Sequence, residues 1–169
     1  MIRQLFSQTR LSNGQTLFDE SIKTPLLIVF LRHFGCTFCR EALADLAACK
    51  SFIEEKGTRL VLVHMASEDE GKEYFRRYQL SDCLFHSDPD CQLYEAFGLG
   101  KGSKVQLFGL KVWARGLVSG MLKGNGIGLP HQDPFQMPGV FLVFKGHIMS
   151  HFRHDSAADR PDYIRFLQS

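Results

Sequence analysis

Residues 25–31 read Pro-Leu-Leu-Ile-Val-Phe-Leu, a run without a polar side chain, and the chain then carries Cys36-Thr37-Phe38-Cys39 at the head of an apolar pattern of helical spacing. A short continuous aliphatic run suits a strand buried on both faces, because both of its side-chain rows must meet apolar neighbours. This one is expected to be a central parallel strand. Phe38, Ala42, Leu46, Cys49 and Ile53 recur on one face and Gly57 supplies a stop, so a helix is predicted to begin at the Cys pair.

The same alternation continues. Residues 59–65 form a second strand, and Ser67-Glu68-Asp69-Glu70 is a capping box opening a helix that ends near Arg76 and Arg77. Residues 83–86 make a shorter strand, after which Asp88 and Pro89 are placed as cap and first helical residue of a helix over 91–97. Residues 139–144 and 147–152 are strands joined at Lys145-Gly146, and a short terminal helix runs from about Asp159 to Leu167. Upstream, the Asn13-Gly14 turn between apolar stretches predicts a hairpin, or a strand pair capping a sheet, over residues 11–18. The fold expected is α/β: a central mixed sheet with helices on both faces.

At 169 residues the chain needs one domain, 1–169, and carries an insertion at about 100–136 before the final hairpin. Within it Leu110, Trp113, Leu117 and Met121 make one amphipathic stripe, interrupted by Gly109, Gly116 and Gly120. Lys101, Lys104, Lys111, Arg115 and Lys123 lie there with no acid among them, a field read as a solvated face in preference to a docking surface. A net charge of +2 argues against nucleic acid, and the longest apolar run is far shorter than the roughly 20 residues a spanning helix needs, so no membrane association is expected. The N-terminus lacks a secretory signal, and five cysteines in no paired framework fit reduced thiols, hence a cytoplasmic setting.

Cys-x-x-Cys where a buried strand meets a helix start is chemically specific. Unpaired N–H groups at the helix head stabilise a thiolate at Cys36, and Cys39 lies one turn below, placed to attack a mixed disulfide or a sulfenic acid. Arg32, His33 and Arg40 would favour the thiolate if they point toward it. The competing readings are two structural thiols or half a zinc site. Zinc needs two further ligands, Cys49, Cys83 and Cys91 form no second pair, and Arg40 stands where haem attachment would need His. No cofactor or metal is expected.

The run Phe34-Gly35-Cys36-Thr37-Phe38-Cys39-Arg40-Glu41 and the strand ahead of it resemble the thioredoxin-like superfamily. Residues 136–143 (Gln-Met-Pro-Gly-Val-Phe-Leu-Val), followed by a hairpin and residues 153–161 (Arg-His-Asp-Ser-Ala-Ala-Asp-Arg-Pro), resemble the peroxiredoxin-like AhpC/TSA antioxidant family. The resemblance implies a thiol-dependent oxidoreductase in which Cys36 attacks a disulfide or a hydroperoxide and Cys39 resolves it as a redox-active disulfide. An external donor of the thioredoxin or glutathione type would then restore the pair. It implies a cis peptide at Pro138, facing the cysteines, with Met137 offering backbone groups to substrate. Thr37, Phe38, Arg32 and Arg40 are the supporting residues. Relatives of this kind often dimerise, and no segment identifies a dimer face.

Two departures stand out. The peroxiredoxin pattern Pro-x-x-x-Thr/Ser-x-x-Cys meets Val29 and His33 here, and its catalytic arginine falls at Pro138. Thioredoxin has Gly-Pro between its cysteines, where this chain has Thr37-Phe38. The rival class is a non-catalytic binding module built on the same scaffold. His147, His151 and His154 are read as solvated outer-face residues rather than metal ligands, Cys49 as core, and Cys83 and Cys91 as buried thiols or remote resolving ones.

Overall fold

The computed structural model describes residues 2–103 and 133–168. Among them, five strands form one sheet: β1 (Leu26–Phe30), β2 (Arg59–His64), β3 (Leu84–Ser87), β4 (Gly139–Phe144) and β5 (His147–Arg153), in the order β3-β2-β1-β4-β5. β1, β2 and β3 are parallel, while β4 and β5 add antiparallel to β1, with Ile28 opposite Val61 on one side and Phe141 on the other. All of β1 is buried, as its composition requires.

The two side-chain rows of β1 and β2 feed two cores. Leu27, Val29, Leu60 and Leu62 pack with Leu43 and Leu46 of α3 (Thr37–Glu55), Phe75 of α4 (Glu68–Arg77) and Tyr163 of α6 (Tyr163–Phe166). Leu26, Ile28, Phe30, Val61 and Val63 pack with Phe6 of α1 (Ile2–Gln8), Leu17 of α2 (Leu17–Lys23) and Tyr94 of α5 (Gln92–Ala96). Each such side chain contributes about 1.5–3 kcal/mol when fully buried, so the alternation of β1 and β2 holds helices to both faces at once. The α/β reading of the sequence is the observed architecture.

Two local expectations need correction. The hairpin over residues 11–18 is reduced to a single bridge between Arg10 and Thr16, and Leu17 and Phe18 open α2 instead. The cause is a capping box: Thr16 Oγ1 accepts the Asp19 N–H at 3.1 Å while the Asp19 carboxylate accepts the Thr16 N–H. Pro89 is not helical. The Asp88 carboxylate does cap α5, accepting N–H bonds from Gln92 and Leu93 at 3.0 and 2.8 Å, but the helix starts only after Cys91, which sits left-handed at φ 56°. α1 was not anticipated.

At the β4–β5 turn, Lys145 and Gly146 both have positive φ, 51° and 74°, the geometry that a two-residue hairpin needs. The stripe around Trp113 and the four cations from Lys104 to Lys123 lie outside the described residues. The ends of the insertion are pinned together: Lys101 bridges Gln136, Gly102 N–H donates to Phe135 O at 2.7 Å, and Lys101 pairs with Asp133 at 2.7 Å.

Candidate active site

The chain leaves β1 and turns into α3 through residues 31–36. Leu31 N–H still donates to Val63 O of β2, and the Tyr94 hydroxyl from the opposite core lies 2.6 Å from Leu31 O. Cys36 N–H then donates to His33 O at 2.9 Å, closing the turn, and Cys36 becomes the N-cap of α3, its own carbonyl accepting from the Cys39 and Arg40 N–H groups at 3.1 and 3.2 Å. The helix begins at the Cys pair, as the spacing implied.

Arg32 is buried, at 7% exposure, and its guanidinium divides among three acceptors. Nη1 donates to Cys36 Sγ at 3.0 Å, Nε to Gln136 O at 3.4 Å and Nη2 to Pro134 O. Among the described residues it has no carboxylate partner. A buried cation without a carboxylate needs other acceptors, and one it has taken is the sulfur. Gln136 secures the backbone acceptors: its side-chain amide donates to Leu99 O at 2.8 Å, fixing the segment whose carbonyl holds Arg32.

Of the cations expected around Cys36, Arg32 is bonded to its sulfur. His33 is buried, and burial, reinforced by the charge of Arg32, pushes its imidazole down to about 4, so it is neutral near neutrality and adds no positive charge. Arg40 donates Nε to Phe34 O at 2.9 Å and lies over the Tyr74 ring, where it braces the turn. Phe34 stacks on that ring at 4.3 Å.

Cys36 and Cys39 are both free thiols, 8% and 3% exposed. Burial pushes the Cys39 thiol far above the usual range; charge on Cys36 adds to this and Arg32 and Arg40 oppose it. Cys39 therefore keeps its proton. Elsewhere, burial raises Cys49, Cys91 and, to about 11, Cys83, so none of these is activated.

A cavity of about 30 Å³ adjoins Cys39 and Arg32, walled by Phe38, Pro138, His154 and Tyr163. Thr37 is buried at the head of α3, while Phe38 packs against Met137, Ala157 and Ala158. Sequence reasoning missed Gln136 and Arg160 altogether and placed His154 among solvated residues. In fact Nδ1 of His154 is buried without a partner, and burial, with the charge of Arg32, pushes the ring down to about 4. No metal site of three or more His, Cys, Asp or Glu occurs among the described residues.

The Pro138 expectation is overturned: no peptide bond among the described residues is cis. Pro138 directly precedes β4, where a trans proline is tolerated because its missing N–H interrupts no ladder. Nor does Met137 offer a free backbone: its N–H donates to Gly100 O at 3.1 Å, and its carbonyl accepts from the Gln136 side chain at 3.3 Å.

A profile of the family described as AhpC/TSA antioxidant enzyme matches residues 45–157, a span that begins after the two cysteines. Peroxiredoxin-like 2C of Bos taurus is 26% identical over 153 residues, covering 85% of this chain and 67% of its own length. Prostamide/prostaglandin F synthase of Salmo salar is 26% identical, covering 80% and 68%. A chloroplastic thioredoxin-like protein, AAED1 of Arabidopsis thaliana, is 32% identical over 79 residues, 47% of this chain and 32% of its own. The chain spans 59% to 67% of the length of the bovine and human peroxiredoxin-like 2C proteins.

Among solved structures, Xanthomonas campestris peroxiredoxin Q superposes with a TM-score of 0.63 at 18% identity, covering 95% of this chain and 88% of that one. Peroxidoxin BcpB from Mycobacterium tuberculosis gives 0.61 at 12%, covering 89% and 82%. These likenesses establish a thioredoxin-like fold. No described helix is long and apolar enough to cross a membrane.

Proposed function

We propose, for a chain that belongs to the AhpC/TSA antioxidant enzyme family, that Cys36 reduces a hydroperoxide, Cys39 resolves the product and an external thiol donor regenerates the pair. The observation that carries this reading is the 3.0 Å bond from Arg32 Nη1 to Cys36 Sγ at the head of α3. It puts a fixed cation on the first sulfur, while the second sulfur, one turn along, holds its proton.

The Cys36 thiolate attacks the terminal oxygen of R–O–O–H. The O–O bond breaks, Cys36–S–OH forms, and the leaving alkoxide takes a proton to become R–OH. The Cys39 sulfur then attacks the Cys36 sulfur, forming the disulfide as the S–O bond breaks, and hydroxide leaves as water with the Cys39 proton. A donor of the thioredoxin or glutathione class supplies two electrons and two protons, ending as a disulfide itself. Arg32, buried among backbone carbonyls, is preorganised for the charge that moves between sulfur and oxygen.

A small oxidant fits better than a protein disulfide, because both sulfurs are nearly covered. The five cysteines stand free, which agrees with a reducing compartment such as the cytoplasm. Stopped-flow oxidation by hydrogen peroxide and by a model disulfide tests the assignment. Cys36→Ser should lose turnover with its fold intact, and Cys39→Ser should accumulate a sulfenic acid that dimedone traps. Undiminished turnover in Cys36→Ser would refute the assignment to Cys36, and a wild-type Cys pair inert to both oxidants would leave the non-catalytic module as the reading.

A further inference from the structure

The cavity beside Cys39 is small; Cys36 does not line it, and the link between the two is Arg32, which lines the cavity and bonds the Cys36 sulfur. Its volume of about 30 Å³ holds about two waters, or one molecule of hydrogen peroxide. Beyond it, between α3 and α6, lies an open groove of about 320 Å³ whose lining includes Ala48, Cys49 and Ile164. Asp45, Arg160, Pro161 and Tyr163 border both spaces, so these residues make the wall between them.

Arg160 braces that wall. Its Nε donates to Asp45 Oδ2 at 2.6 Å, Nη2 donates to Asp45 Oδ1, and Nη1 lies 3.4 Å from Glu41 Oε1. Glu41 and Asp45 are one turn apart on α3, so one guanidinium spans two successive rungs of the helix and ties the 159–161 segment to it. A planar fork gripping Asp45 through both oxygens is geometrically specific; on the helix side Glu41 is buried, while the Arg160 side chain faces solvent on its outer side. On the inner side, Ala157 and Ala158 seat the same segment against Phe38 and Met137.

We propose that Arg160 is a specificity-determining residue: held on Asp45 and Glu41, it confines the site to hydroperoxides about the size of hydrogen peroxide and shuts out those bearing an aryl or acyl tail. The inference rests on the hydroperoxide reading above. Removing the partition joins the cavity to the groove, where the apolar side chains of Ala48 and Ile164 can receive a tail.

Rate constants for Cys36 oxidation by hydrogen peroxide and by cumene hydroperoxide, in wild type, Arg160→Ala and Asp45→Asn, test it. Wild type should favour hydrogen peroxide, and the cumene-to-hydrogen-peroxide ratio should rise about tenfold in Arg160→Ala and less in Asp45→Asn, the scale on which a mis-sized pocket discriminates. Asp45→Asn keeps the proposal testable should Arg160→Ala fail to fold. A second readout needs no peroxide: in Cys36→Ser, alkylation of Cys39 by iodoacetamide and by N-phenylmaleimide is followed by peptide mass spectrometry. Opening the partition should accelerate the bulky reagent selectively. If that acceleration occurs while wild type reacts with neither peroxide, the hydroperoxide reading fails and the partition stands. Unchanged ratios in both assays, or a wild type indifferent to peroxide size, overturn the partition.

Discussion

Arg32 and His64 are buried polar side chains at the carboxyl ends of neighbouring parallel strands, and their surroundings differ. Arg32 is supplied with three acceptors, one of them the Cys36 sulfur. His64 is fully buried with neither ring nitrogen hydrogen-bonded, boxed by Phe34, Phe75 and Phe85 at centroid distances of 5.5, 5.4 and 5.9 Å. Burial, then the charge of His86, pushes it down to about 4; the Ala66 backbone pulls the other way without reaching hydrogen-bonding geometry. Partners let a buried group keep its charge for chemistry, whereas their absence makes it a neutral packing piece that is vulnerable to acid. Phe34 joins the two regions, since it lies against His64 two residues before Cys36.

The largest expected effect is at Arg32. Arg32→Met should slow Cys36 oxidation by about 10²–10³-fold, the scale of losing one preorganised donor, with Arg32→Lys intermediate because an ammonium keeps charge but not the fork. A loss of only a few-fold in stopped-flow traces would make Arg32 a brace for Gln136 and Pro134 instead of a partner of the reacting sulfur.

Next comes the acid limb of stability. An imidazole at about 4 when folded and near 6.5 when unfolded binds more proton unfolded, so its contribution is intact above pH 6.5 and is lost as pH falls toward 4. His64→Leu should remove up to about 3 kcal/mol of that loss, read as a shallower fall of urea-unfolding free energy between those pH values. An acid limb identical to wild type would mean that His64 is protonated freely in the folded state. His33 and His154, depressed in the same direction, would leave a residual slope.

Gly71 sharpens the packing half of the comparison. A Cβ there would lie 2.5 Å from two atoms of the His64 ring, so Gly71→Ala should cost about 1–3 kcal/mol in unfolding free energy. Combining it with His64→Ala should recover part of that, a coupling absent if the two side chains do not share one space. The smallest effect is Tyr94→Phe, which deletes the hydroxyl at Leu31 O and should cost about 1 kcal/mol by thermal or urea unfolding.

Much of the fold was legible in β1, because an unbroken aliphatic run has only one comfortable environment, and the Cys36 N-cap followed from the spacing of Phe38 through Ile53. Residues 11–18 misled because Asn13-Gly14 is a strong turn signal, while the Thr16–Asp19 box that begins two residues after Gly14 decides what the turn delivers. Pro138 was misjudged through the family resemblance. Gln136 and Arg160 lie inside the runs that carry the family resemblance, yet nothing marked their roles, since a glutamine and an arginine look like surface residues until their partners are known.

The order of strands and helices, and the place where one cysteine heads a helix with another one turn behind, are local properties, written in side-chain periodicity and capping chemistry. Which cation meets sulfur, which histidine is left without a partner and which ion pair walls a cavity depend on side chains far apart in sequence, such as Arg32 with Gln136 and Asp45 with Arg160. Only packing brings those together, because burial, unlike periodicity, is set by the whole surrounding shell and not by the neighbours along the chain.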